Sequence, residues 1–123
     1  MAVTARAPWP HPAPVEPPVG VELDVTAYLQ RIRYREDTSP SFTTLAGLHL
    51  AHLRTVPFEN LDVISRRPIS LDPADLFMKI VRQRRGGFCY ELNGLFSLLL
   101  RALGFHVTLL AATFPRQDRK SVV

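Results

Sequence analysis

The chain has 123 residues, of which 46% are hydrophobic and 21% charged, as is typical of a single globular domain. Its one cysteine excludes a secreted scaffold held together by internal disulfides and fits a reducing, cytoplasmic compartment. The formal net charge of +4 comes from scattered cations and not from a basic block interleaved with aromatic residues, which favours solvated helix faces over a nucleic-acid site. No apolar run reaches the length of a membrane span, and no signal-peptide core follows Arg6.

Three regions are predicted along the chain. Residues 1–20 are expected to form a disordered or polyproline-like leader, because six prolines stand between Pro8 and Pro18. A docking peptide for a proline-binding domain is the alternative for this leader. Residues 21–104 are predicted to form a helical domain, and residues 105–123 are predicted to begin a β domain.

Two helices are predicted in the first half of the chain. Asp24 caps the first helix, which ends in the segment EDTSPS (36–41), and Thr43 or Thr44 caps the second. The expected buried faces are Val25, Tyr28, Leu29 and Ile32 in the first helix, and Leu45, Leu48, His49 and His52 in the second. The segment TVPFENLDVIS (55–65) then loses the helical period and predicts an ordered loop leading to short extended pieces, the next being PISL (68–71).

Two further helices and one strand follow. Asp72 as N-cap and Pro73 at the first helical position predict the third helix, which Gly86 and Gly87 are expected to end. The fourth helix is predicted to begin at or near Cys89 and to stop at Gly104. The expected buried faces are Leu76, Phe77, Ile80 and Val81 in the third helix, and Leu92, Leu95, Phe96, Leu99 and Leu103 in the fourth. FHVTLLAATF (105–114) predicts a buried strand.

Cys89 allows two interpretations from the residues alone. A cysteine at a helix N-terminus meets unsatisfied N–H groups and a partial positive charge, which stabilise a thiolate nucleophile. Gly86 and Gly87 would let a substrate or another backbone approach closely, and Asn93 lies one turn later on the same face. Alternatively, Cys89 is a small buried apolar residue and the two glycines form a tight turn.

Two histidines near each other raise the question of a metal site. His49 and His52 lie on one helix, but two ligands without a nearby third make a poor site. A structural role is therefore favoured for both, and no metal is predicted.

RGGFCYELNGLF (85–96) resembles the active-site signature of the arylamine N-acetyltransferases. Four other segments resemble that family in the same order: YLQRIRY (28–34), LHLAHLRTVPFENLDV (48–63), MKIVRQRRGG (78–87) and LLRALGFHVTLLAA (99–112). The resemblance covers about residues 23–112. It implies a mostly α chain, the N-terminal helical domain of an α+β fold similar to papain-like and transglutaminase-like proteins. The first β-barrel strand would then lie at the C-terminal end.

The resemblance also implies a function. Cys89 would take the acetyl group of acetyl-CoA as a thioester, and an arylamine, arylhydrazine or arylhydroxylamine would then receive it. Arg85, Gly86, Gly87, Glu59 and Asn93 match the signature segments and would support the site, and Glu59 and Arg85 are hypothesised to form an ion pair. No metal cofactor is implied.

The catalytic His and Asp of the family lie on β-strands after the cysteine helix, and only 34 residues follow Cys89 here. His106 enters the first predicted strand and is a poor candidate for the base, and Asp118 stands in a polar tail without a histidine to orient. The expectation is a truncated or frameshifted chain that lacks the catalytic His, the Asp and the lid and is inactive alone.

Three alternatives stay open. The chain could be a non-catalytic fragment or helical interaction module, or a member of the same family that closes amide bonds in macrocycles. A papain-like thiol hydrolase fits a cysteine at a helix head but leaves the flanking RGG and ELNGLF unexplained.

Overall fold

The computed structural model describes residues 22–110, which are mostly helical, and this confirms the predicted fold class. The helices are α1 (Val25–Arg31), α2 (Phe42–Thr55), α3 (Leu61–Ile64), α4 (Pro73–Phe77), a π-helical segment (Met78–Arg82) and α5 (Cys89–Ala102). The described residues as far as Val107 belong to one compact unit, and 108–110 belong to a second unit and carry no regular secondary structure. The predicted leader and residues 111–123 lie outside the described range.

The helix starts follow from short polar side chains that accept backbone hydrogen bonds. The Asp24 carboxylate accepts the N–H of Ala27 at 3.0 Å, and the Asp72 carboxylate accepts the N–H of Ala74 at 2.9 Å, so both predicted caps are confirmed. The predicted cap of α2 is wrong, because the hydroxyl of Ser41 accepts the N–H of Thr44 at 3.1 Å. Ser41 has the extended backbone that an N-cap requires.

Helices α1 and α5 both end in a left-handed residue. Gly104, predicted to stop α5, has φ of 97°, and the next N–H bonds back to the carbonyl of Leu100 at 3.0 Å. Arg33 occupies the same position after α1 with φ of 58°, and the N–H of Tyr34 bonds to the carbonyl of Leu29 at 3.0 Å. Helix α1 therefore ends before the EDTSPS segment that was predicted to end it.

The third predicted helix changes character along its length. It is α-helical over α4 and then widens, since the N–H of Gln83 bonds to the carbonyl of Met78 five residues back, at 2.8 Å. The helix ends at Arg82, so Gly86 and Gly87 do not end it, contrary to the prediction. Arg84, with φ of 55°, makes the turn that leads the chain toward the glycines.

The segment between α2 and α4 makes one parallel backbone bridge, between Phe58 and Gly87. The N–H of Gly87 donates to the carbonyl of Pro57 at 3.3 Å, and the N–H of Glu59 donates to the carbonyl of Gly87 at 2.9 Å. The prediction of short extended pieces is wrong at 61–64, because these residues form α3. It is also wrong at 68–71, which form no strand and carry no regular secondary structure. The bridge fixes this loop beside the residues that lead into α5.

The core lies where α1, α2, α4, the π-helical segment and α5 meet. Its buried side chains are Tyr28, Ile32, Leu48, Val56, Leu76, Ile80, Val81, Leu95, Leu99 and Leu100. Each buried aliphatic side chain of this kind stabilises the fold by roughly 1.5–3 kcal/mol. Within residues 22–110, no helix combines the length and apolarity that crossing a membrane requires.

The predicted C-terminal strand is not formed over residues 105–110. A strand needs a neighbour for its N–H and C=O groups, and the helices of the described part offer none. Instead, the guanidinium of Arg101 donates to the carbonyl of Val107 at 3.0 Å. The end of the predicted strand, 111–114, lies outside the described residues.

Candidate active site

Cys89 is the first residue of α5, and its thiol is exposed. Phe88 precedes it as the N-cap in an extended conformation, which turns the chain into the helix. The thiol therefore lies at the end of α5 where N–H groups lack helical partners and the helix dipole is positive. The interpretation of Cys89 as a buried apolar residue is wrong, because the side chain is accessible.

The two glycines before Cys89 allow two backbones to touch. A Cβ atom on Gly86 would overlap the carbonyl oxygen of Pro57, and one on Gly87 would lie 2.9 Å from a carboxylate oxygen of Glu91. The close approach predicted from the sequence is thus made by the loop 56–60 and by the Glu91 side chain. This contact holds the start of α5 against the loop.

Glu59 and Arg85 form the ion pair that the sequence suggested, with Nη2 of Arg85 3.1 Å from Oε1 of Glu59. Arg85 also donates from Nη1 to both oxygens of Asp62, at 2.9 and 3.1 Å. The hydrogen bond that Arg85 donates to Asp62 raises the pKa of Arg85 above its ordinary value despite some desolvation. Arg85 therefore joins the Glu59 loop to α3, an interaction with Asp62 that the sequence did not predict.

Lys79 of the π-helical segment is the second cation of this cluster. Its ammonium lies 2.8 Å from Oδ2 of Asp62 and 2.6 Å from Oε2 of Glu91, with Oε1 of Glu59 further away at 3.9 Å. Burial opposes the charge of Lys79, but hydrogen bonds to Asp62 and Glu91 outweigh it and raise the pKa of Lys79. Hydrogen bonds from Lys79 and then Arg85 lower the pKa of Asp62, so this carboxylate stays ionised.

Glu91 connects the cluster to the start of α5. It is the third residue of the helix, and its Oε1 accepts the N–H of Phe88 at 3.2 Å, which is half of a capping box. Phe88 itself carries no acceptor for the other half. The capping-box signal in a sequence starts from Ser, Thr, Asp or Asn at the N-cap, and Phe88 stands at that position, so Glu91 could not be identified from the sequence in this way.

The histidines are not gathered at Cys89. His52 is buried, its Nε2 is 2.8 Å from the hydroxyl of Tyr28, and its ring packs 5.0 Å from that of Phe96. His106 follows the far end of α5, which has 14 residues and is therefore about 20 Å long. Within residues 22–110, no group of three or more side chains could hold a metal ion.

Asn93 is exposed one turn after Cys89 on α5. The prediction that His49 lies on the buried face of α2 is wrong, because the residue is exposed, with its ring 6.4 Å from that of Phe96. Asp118, named as an unlikely partner from the sequence, lies outside the described residues.

Comparisons with known proteins show the family to which the chain is similar. The family model described as N-acetyltransferase matches residues 41–122. Arylamine N-acetyltransferase of Mycobacterium tuberculosis (strain ATCC 25618 / H37Rv) is 47% identical over 91 residues, covering 73% of this chain and 32% of the relative. Arylamine N-acetyltransferase / N-hydroxyarylamine O-acetyltransferase of Salmonella typhimurium is 48% identical over 81 residues, covering 66% of this chain and 29% of the relative.

Solved structures are similar as well. The structure of the arylamine N-acetyltransferase from M. tuberculosis superposes with a TM-score of 0.65 at 48% identity, covering 67% of this chain and 31% of that one. The Mycobacterium marinum arylamine N-acetyltransferase in complex with CoA gives a TM-score of 0.63 at 43% identity, covering 66% and 30%. The chain spans about a third of the length of these relatives.

The chain is a helical unit with an exposed cysteine at the start of a helix. The family model matches most of its length, and this match places the chain in the N-acetyltransferase class. Within that class, the chain belongs to the arylamine N-acetyltransferase family.

Proposed function

We propose that this chain supplies the nucleophile-bearing part of an acetyl-CoA-dependent arylamine N-acetyltransferase, with Cys89 as the acetyl acceptor. The observation that carries the proposal is the exposed Cys89 thiol at the first position of α5. The partly buried ion pairs of Lys79 and Arg85 hold that helix start against α3 and the Glu59 loop. A nucleophile that is both accessible and rigidly placed suits covalent transfer.

The reaction proceeds in two half-reactions. The Cys89 thiolate attacks the thioester carbonyl of acetyl-CoA, the bond to the CoA sulfur breaks, and CoA leaves with its electron pair and takes up a proton. The amine nitrogen then attacks acetyl-Cys89, and the sulfur leaves as thiolate while the nitrogen loses a proton to a base. One hard transfer is thus divided into two easier ones. The CoA bound in the M. marinum relative supports acetyl-CoA as the donor.

The acceptor is proposed to be an aromatic amine or hydrazine. Phe58 is 70% exposed beside Gly87, and Tyr90 is 69% exposed next to Cys89. Exposed aromatic faces of this kind bind flat aromatic rings by stacking, and they supply apolar area at the same time. The names of the relatives point to the same class of acceptor.

The base is proposed to come from outside the described residues. Nε2 of His52 forms a hydrogen bond with the hydroxyl of Tyr28. His106 follows the end of α5 that is opposite to Cys89. The resemblance to the family implies a histidine and an aspartate on later β-strands. We therefore propose that residues 1–123 without this base are inactive in repeated turnover, and that the protein works in a reducing, cytoplasmic compartment where Cys89 stays a free thiol.

Separating the half-reactions tests this function. The chain is incubated with acetyl-CoA, freed of it by gel filtration, and then given either an aromatic amine or an aliphatic one, with Cys89→Ala as control. We expect the N-acetylated aromatic amine to form in an amount equal to the protein-bound acetyl group, and the Cys89→Ala chain to form none. Product that appears only while acetyl-CoA is still present would overturn the two-step proposal.

A further inference from the structure

The side chain of Lys79 lies between two carboxylates from different elements. Its ammonium lies 2.6 Å from Oε2 of Glu91 on α5 and 2.8 Å from Oδ2 of Asp62 on α3. The side chain is only 12% exposed, and that of Glu91 is 3% exposed. At such burial, an ion pair is screened little by solvent, and its removal affects nearby charges strongly.

Glu91 spans the distance from this ammonium to the backbone beside the cysteine. One carboxylate oxygen binds Lys79, and the other accepts the N–H of Phe88, the residue just before Cys89. Its position in the first turn of α5 means that Glu91 and a Cys89 thiolate share the same positive helix end. Two anions at one helix end repel each other unless one of them is neutralised.

Lys79 supplies that neutralisation. The cluster contains three carboxylates, those of Glu59, Asp62 and Glu91, and two cations, Lys79 and Arg85. Arg85 is engaged by Glu59 and Asp62, which leaves Lys79 as the cation paired with Glu91 in the described part of the chain.

We propose that Lys79 is a positioning residue for the reaction: by pairing with Glu91 it cancels a buried negative charge beside Cys89 and so favours the reactive thiolate. This inference rests on the proposed function for its biological meaning. Its physical content concerns the reactivity of the thiol and can be measured without acetyl-CoA.

The test is the rate of alkylation of the chain by iodoacetamide as a function of pH. Since Cys89 is the only cysteine, the rate reads its thiolate directly. Four chains are compared with the wild type: Lys79→Met, Glu91→Gln, the double variant, and Arg82→Met as the control. Arg82 lies on the same π-helical segment, and its loss also removes one positive charge, but it pairs with Asp24 at an exposed position away from the cluster.

Below the midpoint of the pH profile, we expect Lys79→Met to slow alkylation about threefold or more, because the negative charge of Glu91 then has no partner beside the thiolate. We expect Glu91→Gln to speed alkylation by a similar factor, because that negative charge is removed. The double variant should return to within about twofold of the wild type, because the two charges cancel. Arg82→Met should leave the profile in place. A structural role alone would make the double variant react or fold worse than either single variant.

The outcomes distinguish the proposed role of Lys79 from the proposed function. If Lys79→Met fails to fold, as circular dichroism would show, Glu91→Gln and the double variant still carry the test, and an unchanged rate in Glu91→Gln would overturn the inference. The predicted alkylation pattern without transfer of acetyl groups to an amine would overturn the proposed function only. Transfer of acetyl groups by the wild type, together with an alkylation profile that is the same in Lys79→Met as in the wild type, would overturn the inference only.

Discussion

The hydroxyl of Tyr28 on α1 lies 2.8 Å from Nε2 of His52 on α2, and both side chains are buried in the core. Burial lowers the pKa of His52 from 6.5 to about 4, with smaller contributions from the charges of Arg31 and His49. Burial also raises the pKa of Tyr28, so the pair is neutral across the physiological range. The two residues form a neutral hydrogen bond between helices, not a metal or catalytic site.

This pair predicts how the stability of the chain depends on pH. The unfolded chain binds a proton at His52 near pH 6.5, whereas the folded chain does so only near pH 4, so the free energy of unfolding falls as the pH drops through this window. The full loss is about 3 kcal/mol. Urea unfolding from pH 7.5 to pH 4 measures it.

The controls for this prediction are substitutions on α2. His52→Leu should abolish this part of the pH dependence, although it lowers stability at neutral pH by leaving the Tyr28 hydroxyl without its partner. His49→Leu, at an exposed position one turn earlier, should keep the dependence. Equal slopes for the wild type and His52→Leu would contradict the assignment.

Gly86 and Gly94 should respond in opposite directions to the same added methyl group. A Cβ on Gly86 would overlap the carbonyl oxygen of Pro57, so Gly86→Ala should cost about 3 kcal/mol or more and separate the loop from α5. On Gly94 within α5 the nearest atom is Cδ1 of Leu76 at 3.5 Å, so Gly94→Ala should stabilise by about 0.5–1 kcal/mol through helix propensity. The melting temperatures of both variants test this, and a similar change in the two would refute the contact between Gly86 and Pro57.

Arg31 should be a major contributor to stability. It is buried at the end of α1, and its guanidinium donates to the carbonyls of Ile80 at 2.7 Å and Thr55 at 2.9 Å, with longer bonds of 3.3 Å to Arg84 and Arg85. Arg31→Met removes the donor from the buried carbonyl of Ile80 and from the three partly buried carbonyls, and it should cost about 3 kcal/mol.

The matched control for Arg31 is Arg35→Met, which removes the same charge at an exposed position and should change the free energy of unfolding by less than about 0.5 kcal/mol. Chemical denaturation compares them. Equal effects of the two substitutions would mean that the buried hydrogen bonds of Arg31 contribute little.

Local signals explain what the sequence predicted correctly. Asp24, Asp72 and Gly104 act through their own backbone neighbourhood, so the residue type sufficed to place the helix ends. The start of α5 near Cys89 was predicted from the two glycines before it, and the apolar faces of α1 and α5 were predicted from the spacing of their hydrophobic residues. Ser41 was missed because three hydroxyl residues stand close together there, and residue type alone does not choose among them.

Long-range contacts explain what was missed. The π-helical segment was not predicted. Within it, the carbonyl of Ile80 accepts a hydrogen bond from Arg31, which is 49 positions away in the sequence. Lys79 and Asp62 were not anticipated, because folding alone brings the π-helical segment, α3 and the start of α5 together. The Glu59–Arg85 pair was predicted from its signature segments, and its geometry required the Phe58–Gly87 bridge.

The most direct test of the central claim is the intact mass of the chain over time with acetyl-CoA. A peptide of residues 84–96, which carries the same cysteine without the folded helix and ion pairs, runs beside it together with the Cys89→Ala chain. The account predicts the gain of a single acetyl group that requires Cys89 and that forms faster on the folded chain than on the peptide. Acetylation that is no faster than on the peptide, or that persists in Cys89→Ala, would contradict it.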